Sequence, residues 1–484
     1  MSIPNFRILN EEILIRIIDE AMNLLEKIGF FVENDEALNL LGDNGLKINK
    51  KTKRVYSPRW KTEEFLSKLP KSISFYNREG KLSFTLEDDI VVFTPGSAAL
   101  NILDYENRKI RPPITNDAKI FHSLLQKLDF IKAQSTALIY DDVPYEIADS
   151  YRLYLALLYC SKPIVTGTFR KESFSVMKEL LLAIRGSEKN LKEKPLAIFD
   201  ACPSPPLKWS DLTVQSIIDC ARNGIPIELI SMPIAGANSP VTLKDTLVQH
   251  TAETISGILI SQSTYLGAPV IYGGSPSILD MRYGTTPMGA IETMLLDCGF
   301  AQIGKHFGLP THAYMGLSDS KQVDYQAGFE SGIGIILSTL SGINMVACAG
   351  MLNFENCQSF EKLLLDNEIC GMAYRLQSGI NIREEIPITT LFERLISKCE
   401  FLDDPHTLKW FREELFFPGN SIDRSPLKFN DIKLNISSME RAHHHVVDMT
   451  KSRKDEILPD YSKQLCKIME KEAKKYGFYI KTNN

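Results

Sequence analysis

The chain has 484 residues, 44% of them hydrophobic and 24% charged, an ordinary globular composition with room for one large domain with additions or for two or three domains. A net charge of −5 and a pI near 6.0 exclude a general basic pull toward nucleic acid or an anionic membrane. The nine cysteines are scattered from Cys160 to Cys466, none of them in a CxxC. They read as reduced thiols of a cytoplasmic protein. Neither they nor His443-His444-His445 have the spacing of a metal site, so no bound metal is expected.

"MSIPNFRILNEEIL" lacks the basic and apolar regions of a signal peptide. From there to residue 70 the pattern is helical. Ile13, Ile17, Ala21, Leu24, Leu25 and Ile28 fit a helix, and "SPRWKTEEFLSKL" reads as another that starts at Ser57-Pro58. Residues 1–87 are therefore expected to form a mostly helical N-terminal segment.

From residue 89 short apolar runs recur, each ending in Gly, Pro, Ser or Asp. They cover 90–97, 131–142, 163–169, 196–206, 226–236, 269–276, 312–320 and 343–352. Their starts lie about 30–45 residues apart, room for a loop, a helix and a loop. The long apolar stretch 332–352 is interrupted by Gly342 and Asn344 and reads as a buried helix, a turn and a strand, not a membrane span. Eight such units predict a (β/α)8 TIM barrel over 88–380, with helical additions at both ends. A doubly wound open sheet is the rival, weakened because no GxGxxG follows a first strand. Residues 381–484 read as a helical segment packing on the barrel. Its helix at "DDPHTLKWFREELFFPG" is capped by Asp404 and striped by Leu408, Phe411 and Leu415.

In such a barrel the chemistry lies where strands end. The aromatics there include Tyr140, Phe169, Tyr272, Tyr314 and Phe354, with Phe93 and Trp209. The polar groups include Asp200, His312, Asp319, Lys321 and Glu355. Basic side chains look scarce, with Lys321 and Lys208 nearly all. That set suits an organic cation better than a phosphate. In "GLSDSKQVDYQAGFE" Asp324 looks like a helix cap, with Gln326 and Glu330 following on one face. No GxSxG, HExxH or P-loop is present, and no catalytic residue is assigned.

"GLSDSKQVDYQAGFESG", "NMVACAGML" and "LLLDNEICGM" resemble the trimethylamine methyltransferase superfamily, as do "SMPIAGANSPVTL" with a downstream "AET", and "HTLKWFREELFFP" followed by Asp423-Arg424. The resemblance runs in order over nearly the whole chain. It implies a TIM barrel that transfers an N-methyl group to the cobalt of a corrinoid (cobalamin) carried by a separate cognate protein, with no cofactor held tightly by this chain. The trimethylamine enzymes carry pyrrolysine, and this sequence has none. Co(I) needs a methyl on a good leaving group, and a quaternary amine leaves as a neutral tertiary amine without that help. The resemblance therefore implies a betaine, carnitine or choline type of substrate. The residues expected to bind it are Tyr140, Phe169, Tyr272, His312, Tyr314, Asp319, Lys321, Gln326, Glu330, Phe354 and Glu355. A homo-oligomer with neither a nucleic-acid nor a membrane partner is expected. Two alternatives are a barrel lyase or aldolase with Lys321 as imine former, and a non-catalytic binder of cationic osmolytes.

Overall fold

The computed structural model describes residues 5–383, 386–396, 400–426, 436–451 and 461–480. Residues 1–4, Cys399 and the rest of the C-terminal segment lie outside these. Eight parallel strands make the centre. They are β1 (Val92–Pro95), β2 (Gln134–Ser135), β3 (Ile164–Thr166), β4 (Ala197–Ala201), β5 (Ile227–Ser231), β6 (Val270–Gly274), β7 (Thr311–Tyr314) and β8 (Met345–Ala349). Each of β2 to β8 pairs with its neighbours in chain order, β8 pairs with β1, and a parallel bridge from Phe93 to Ile131 closes β1 onto the β2 side. The chain is a (β/α)8 barrel, and every one of the eight apolar runs holds a barrel strand.

A helix follows each strand: α1 (Thr115–Lys127), α2 (Ala148–Tyr159), α3 (Ser173–Arg185), α4 (Asp211–Asn223), α5 (Leu243–Thr264), α6 (Ile291–His306), α7 (Tyr325–Leu340) and α8 (Phe360–Gln377). Their ends follow local rules. Ser210 caps α4 by accepting from Thr213 N, and Gly224 ends it at φ +64°, a conformation that costs glycine little. Asp324 caps α7 by accepting from Ala327 N.

Asn344, the polar interruption in the long apolar stretch, fastens the lower end of the barrel. Its Nδ2 donates to the carbonyls of Glu87, Asp88 and Ile90, and its Oδ1 accepts from Thr311 N. That end is plugged by a hairpin, Ile73–Tyr76 paired with Leu82–Leu86. Phe75 and Leu86 pack under the inward side chains Val92, Val165, Ile198, Ile271 and Met345. Only the opposite end, where strands finish, is left for chemistry.

The helical expectation for residues 10–70 needs correction. Helices Glu11–Lys27, Asp35–Asp43 and Arg59–Lys68 are separated by strands Phe30–Val32, Lys47–Asn49 and Arg54–Tyr56. With Lys208–Trp209 these strands make a small sheet. Each is three residues long, too short for a period-2 pattern to stand out. Lys208 is thereby tied to this outer sheet and not to the barrel mouth.

Candidate functional site

At the strand ends a cavity of about 270 Å3 is lined by residues of the β1, β2, β3, β4, β5, β7 and β8 sectors. Period-2 alternation decides which side chains reach it. On β4, Ile198 faces the plug and Asp200 the cavity, while Phe199 points outward onto Phe174 of α3. On β7, Tyr314 reaches the cavity wall, and His312 lies on the same side one step lower, their rings edge to face at 4.9 Å.

Arg152, on α2, is the cavity's cation. It is almost wholly buried. Its Nε donates to the Thr136 carbonyl at 3.0 Å and its Nη2 to the Ser97 carbonyl at 3.0 Å. Its guanidinium lies 5.3 Å from the centre of the Phe169 ring. Among the described residues its Nη1 has no hydrogen-bond partner. Asp149, one turn earlier on α2, accepts from the backbone N–H of Phe169 at 2.8 Å and of Arg170 at 3.2 Å, which fixes the loop that carries the ring.

Carboxyl groups face this cation. Burial pushes the Asp200 carboxyl up to about 6 and the Glu355 carboxyl up to about 7. Ser97 Oγ donates to Glu355 Oε1 at 2.7 Å and moderates the second shift. The backbone that presents Glu355 is unusual: Asn353, Phe354 and Glu355 have φ of +52°, +56° and +69°, and Cys348 in β8 has +83°. Four left-handed non-glycine residues beside one cavity are the kind of strain that packing maintains at functional sites. Gly167 leaves the space for Asp200: a Cβ there would collide with Asp200 Oδ1.

Below the cavity floor, Glu228 and His312 are fully buried, Glu228 Oε2 and His312 Nδ1 3.8 Å apart, with no hydrogen-bond partner among the described residues on any of the four heteroatoms. Burial holds the Glu228 carboxyl well above its ordinary range, aided by Asp200, and the imidazole of His312 down at about 3. The imidazole is therefore neutral at pH 7. The site thus combines one fixed positive charge, two carboxyls that burial raises toward neutrality, and the aromatic side chains of Phe169 and Tyr314.

Of the residues expected at the site, Phe169, Tyr314 and Glu355 line the cavity, and His312 lies beneath it. The others are elsewhere. Tyr272 is on the outward register of β6, packed against His250, Phe300 and Phe307 in the helical layer. Tyr140 is buried edge-on to Tyr151 of α2. Asp319 accepts from the N–H groups of Met288 and Gly289, both at 2.9 Å. Glu330 accepts from Ser318 Oγ at 2.5 Å, from Asp319 N at 2.8 Å and from Gln326 Nε2 at 2.9 Å. Asp319, Gln326 and Glu330 therefore brace the β6 and β7 loops against α7; they do not face the cavity. Lys321 is exposed, donates to the Asp319 carbonyl at 2.8 Å and lies 4.2 Å from the Phe354 ring centre. An imine-forming lysine needs a dry pocket, and Lys321 has none.

Arg152 escaped the sequence reading because only strand ends were collected, and it sits in a helix. The signal was present: one arginine in the otherwise apolar run "YRLYLALL" needs buried partners.

The profile of the trimethylamine methyltransferase (MTTB) family matches residues 1–476. The chain is 27% identical over 470 residues to trimethylamine methyltransferase MttB of Desulfitobacterium hafniense (strain DSM 10664 / DCB-2), covering 97% of this chain and 94% of that protein. It is 29% identical over 443 residues to the glycine betaine methyltransferase of D. hafniense (strain Y51), covering 91% of each. It is also 29% identical over 467 residues to MttB of Methanosarcina barkeri, covering 94% of this chain and 93% of that one. Among solved structures it is similar to the M. barkeri monomethylamine methyltransferase (MtmB), with a TM-score of 0.45 and 13% identity over 81% of this chain and 87% of that one.

Proposed function

Since the chain belongs to the trimethylamine methyltransferase family and is a methyltransferase, we propose that it takes an N-methyl group from a zwitterionic quaternary amine of the betaine type and passes it to the Co(I) corrinoid of a separate protein. The observation that carries this reading is the charge layout of the cavity. Arg152 presents Nη1 to a substrate carboxylate. Asp200, Glu355 and the faces of Phe169 and Tyr314 suit a quaternary ammonium. A cation-only substrate such as choline leaves Arg152 without a counter-charge. Trimethylamine leaves it likewise and offers a poorer leaving group.

The chain's residues act by positioning. Arg152 anchors the carboxylate, and the carboxyls and rings hold the nitrogen so that one methyl points out of the barrel mouth. Aligning nucleophile, methyl and leaving nitrogen removes orientational entropy from the barrier, an effect worth several kcal/mol. The methyl moves to cobalt with the electron pair supplied by Co(I), and the C–N pair stays on nitrogen, leaving a neutral tertiary amine.

The test is a screen of glycine betaine, carnitine, choline and trimethylamine with reduced corrinoid protein or free cob(I)alamin, followed by the visible spectrum of the methylated corrinoid. Demethylation of a carboxylate-bearing quaternary amine, with choline and trimethylamine far behind, is expected. Preference for choline would overturn the zwitterion reading, and no methylated corrinoid with any of them would overturn the reaction.

A further inference from the structure

β8 does not run straight into the loop that presents Glu355. It is bulged against β1: Val346 pairs with Phe93 and Ala349 with Pro95, so three steps on β8 match two on β1. Cys348 lies in that bulge at φ +83°, and Gly350 follows at +86°. A Cβ on Gly350 would collide with Gln358 Nε2. The chain then forms a hairpin, Met351–Leu352 antiparallel to Cys357–Gln358, whose tip holds the left-handed Asn353, Phe354 and Glu355. A bulge beside an active site re-aims a side chain. Here the side chain at the tip is a carboxyl of the cavity.

Turned out of the ladder, the Gly350 N–H needs another acceptor. α8 provides it: Asp366 Oδ2 accepts from Gly350 N at 2.7 Å. Asp366 and Lys362, one turn apart on α8, are almost wholly buried, and the Lys362 ammonium meets the same Oδ2 at 2.6 Å. That ammonium also donates to Ser331 Oγ of α7 at 2.6 Å. The other side of the hairpin root is tied to the same end of the helix. Ser359 N donates to the Gly350 carbonyl at 2.9 Å, and Ser359 Oγ caps α8 by accepting from Lys362 N at 3.2 Å. The stretches "NMVACAGML" and "LLLDNEICGM" thus supply the two ends of one contact, Gly350 and Asp366. A buried ion pair adds little net stability over apolar side chains of the same size. Stability alone does not account for two charges placed under this hairpin.

We propose that Asp366, paired with Lys362, is a positioning residue for methyl transfer: through Gly350 it fixes the root of the hairpin, and so the place of the Glu355 carboxyl beside the substrate nitrogen. Neither Asp366 nor Lys362 lines the cavity of Arg152, so both act only through the hairpin. The role of Glu355 toward a cation belongs to the functional reading above, and the proposal rests on that reading. Left-handed non-glycine residues persist only where their surroundings over-determine them. The tip has three in a row. They are held at the tip by Ser97 Oγ on Glu355 Oε1 and by Asn353 N on the Ser320 carbonyl, and at the root by Asp366 on Gly350 N. With the root released the tip relaxes, and Glu355 withdraws from Ser97 and from the cavity.

The test removes the ion pair from the full-length chain in two ways. In Lys362→Met with Asp366→Asn the charges go, and an amide oxygen still accepts from Gly350 N. In Lys362→Met with Asp366→Leu the acceptor goes with them. Methyl transfer from glycine betaine to free cob(I)alamin is followed below the melting temperature of both. The Asp366→Asn pair should keep KM within about twofold of wild type. The Asp366→Leu pair should raise it about tenfold without lowering kcat. Adding Glu355→Gln to each should abolish the difference between them, because that difference passes through Glu355. Hydrogen exchange reads the hairpin without substrate: the Asn353 and Ser359 amides should exchange roughly tenfold faster with Asp366→Leu than with Asp366→Asn. Equal KM values, equal exchange, or a difference that survives Glu355→Gln overturns the proposal. If the Asp366→Leu pair does not fold, Asp366→Glu, which keeps the charge and displaces the acceptor by one methylene, gives the same comparison against wild type. Normal transfer with equal KM values strikes this proposal alone, whereas no methylated corrinoid from the wild type strikes the functional reading and this proposal with it.

Discussion

Replacing Arg152 with methionine removes the charge and keeps most of the aliphatic bulk. Two of its nitrogens are committed to the Thr136 and Ser97 carbonyls, so the contact left for a ligand is the Nη1 edge. Losing a hydrogen bond to a charged partner costs about 1.5–3 kcal/mol, which converts to a KM for a betaine higher by roughly 10–150-fold. The substitution also leaves two carbonyls without their donor, at about 1–3 kcal/mol each if they stay dry, so the melting temperature should fall as well. Lower stability alone would affect every substrate equally. The assay is therefore the ratio of kcat/KM for glycine betaine to that for choline, read from methylcorrinoid formation at a temperature where the variant is folded. Arg152→Met should collapse that ratio toward one. Arg152→Lys should restore part of it, since lysine supplies the charge but not the planar fork. If the ratio is unchanged in Arg152→Met while both substrates lose activity together, the arginine only supports the fold and the carboxylate is held elsewhere.

A protonated carboxyl gives no attraction to a cation, so KM for a quaternary amine should fall as pH rises from 5.5 to 8, following Asp200 near 6 and Glu355 near 7; Glu355→Gln should move the inflection of that profile down toward the Asp200 value. The same carboxyl affects folding: its folded value lies above the ordinary 4.5, so the native state binds more protons than the unfolded one between pH 4.5 and about 7, and stability decreases across that window by up to roughly 3 kcal/mol. In urea titrations Glu355→Gln should flatten that slope. Gly167→Ala should displace the Asp200 carboxylate and raise KM without unfolding the barrel. Asp324→Ala should cost about 0.5–2 kcal/mol of stability with kcat unaltered, as loss of a cap does. Lys321→Ala should keep methyl transfer near wild type, since that side chain is exposed and stacked on Phe354.

The barrel was legible because each buried parallel strand is an apolar run bounded by loop residues, and such runs survive without knowledge of tertiary contacts. The three-residue strands between the N-terminal helices carry too few positions for the pattern to show. At the site, the sequence located strand ends but not their register. Tyr272 and Tyr314 look alike in sequence; one step of pleat sends the first into the helical layer and the second into the cavity. Polar residues after β7 were equally ambiguous, because a carboxylate that braces a loop, such as Asp319, has the same composition signal as one that meets a ligand. Arg152 and Glu228 were missed for a different reason. Each is a charged group inside an apolar run, a pattern that elements called by hydrophobicity pass over and that burial makes informative.

The charge layout also resolves a tension in the chemistry. A quaternary ammonium loses its charge as the methyl leaves, so each fixed anion beside it binds the ground state better than the transition state. At an effective dielectric of about 20, one carboxylate at ~4 Å is worth about 4 kcal/mol to the cation, and a permanently ionised pair would add a large share of that to the barrier. Arg152 offsets part of the carboxylate charge. Burial pushes Asp200 up to about 6 and Glu355 up to about 7, so near neutral pH the pair carries less negative charge than two ordinary exposed carboxylates would, and opposes the loss of positive charge at nitrogen correspondingly less.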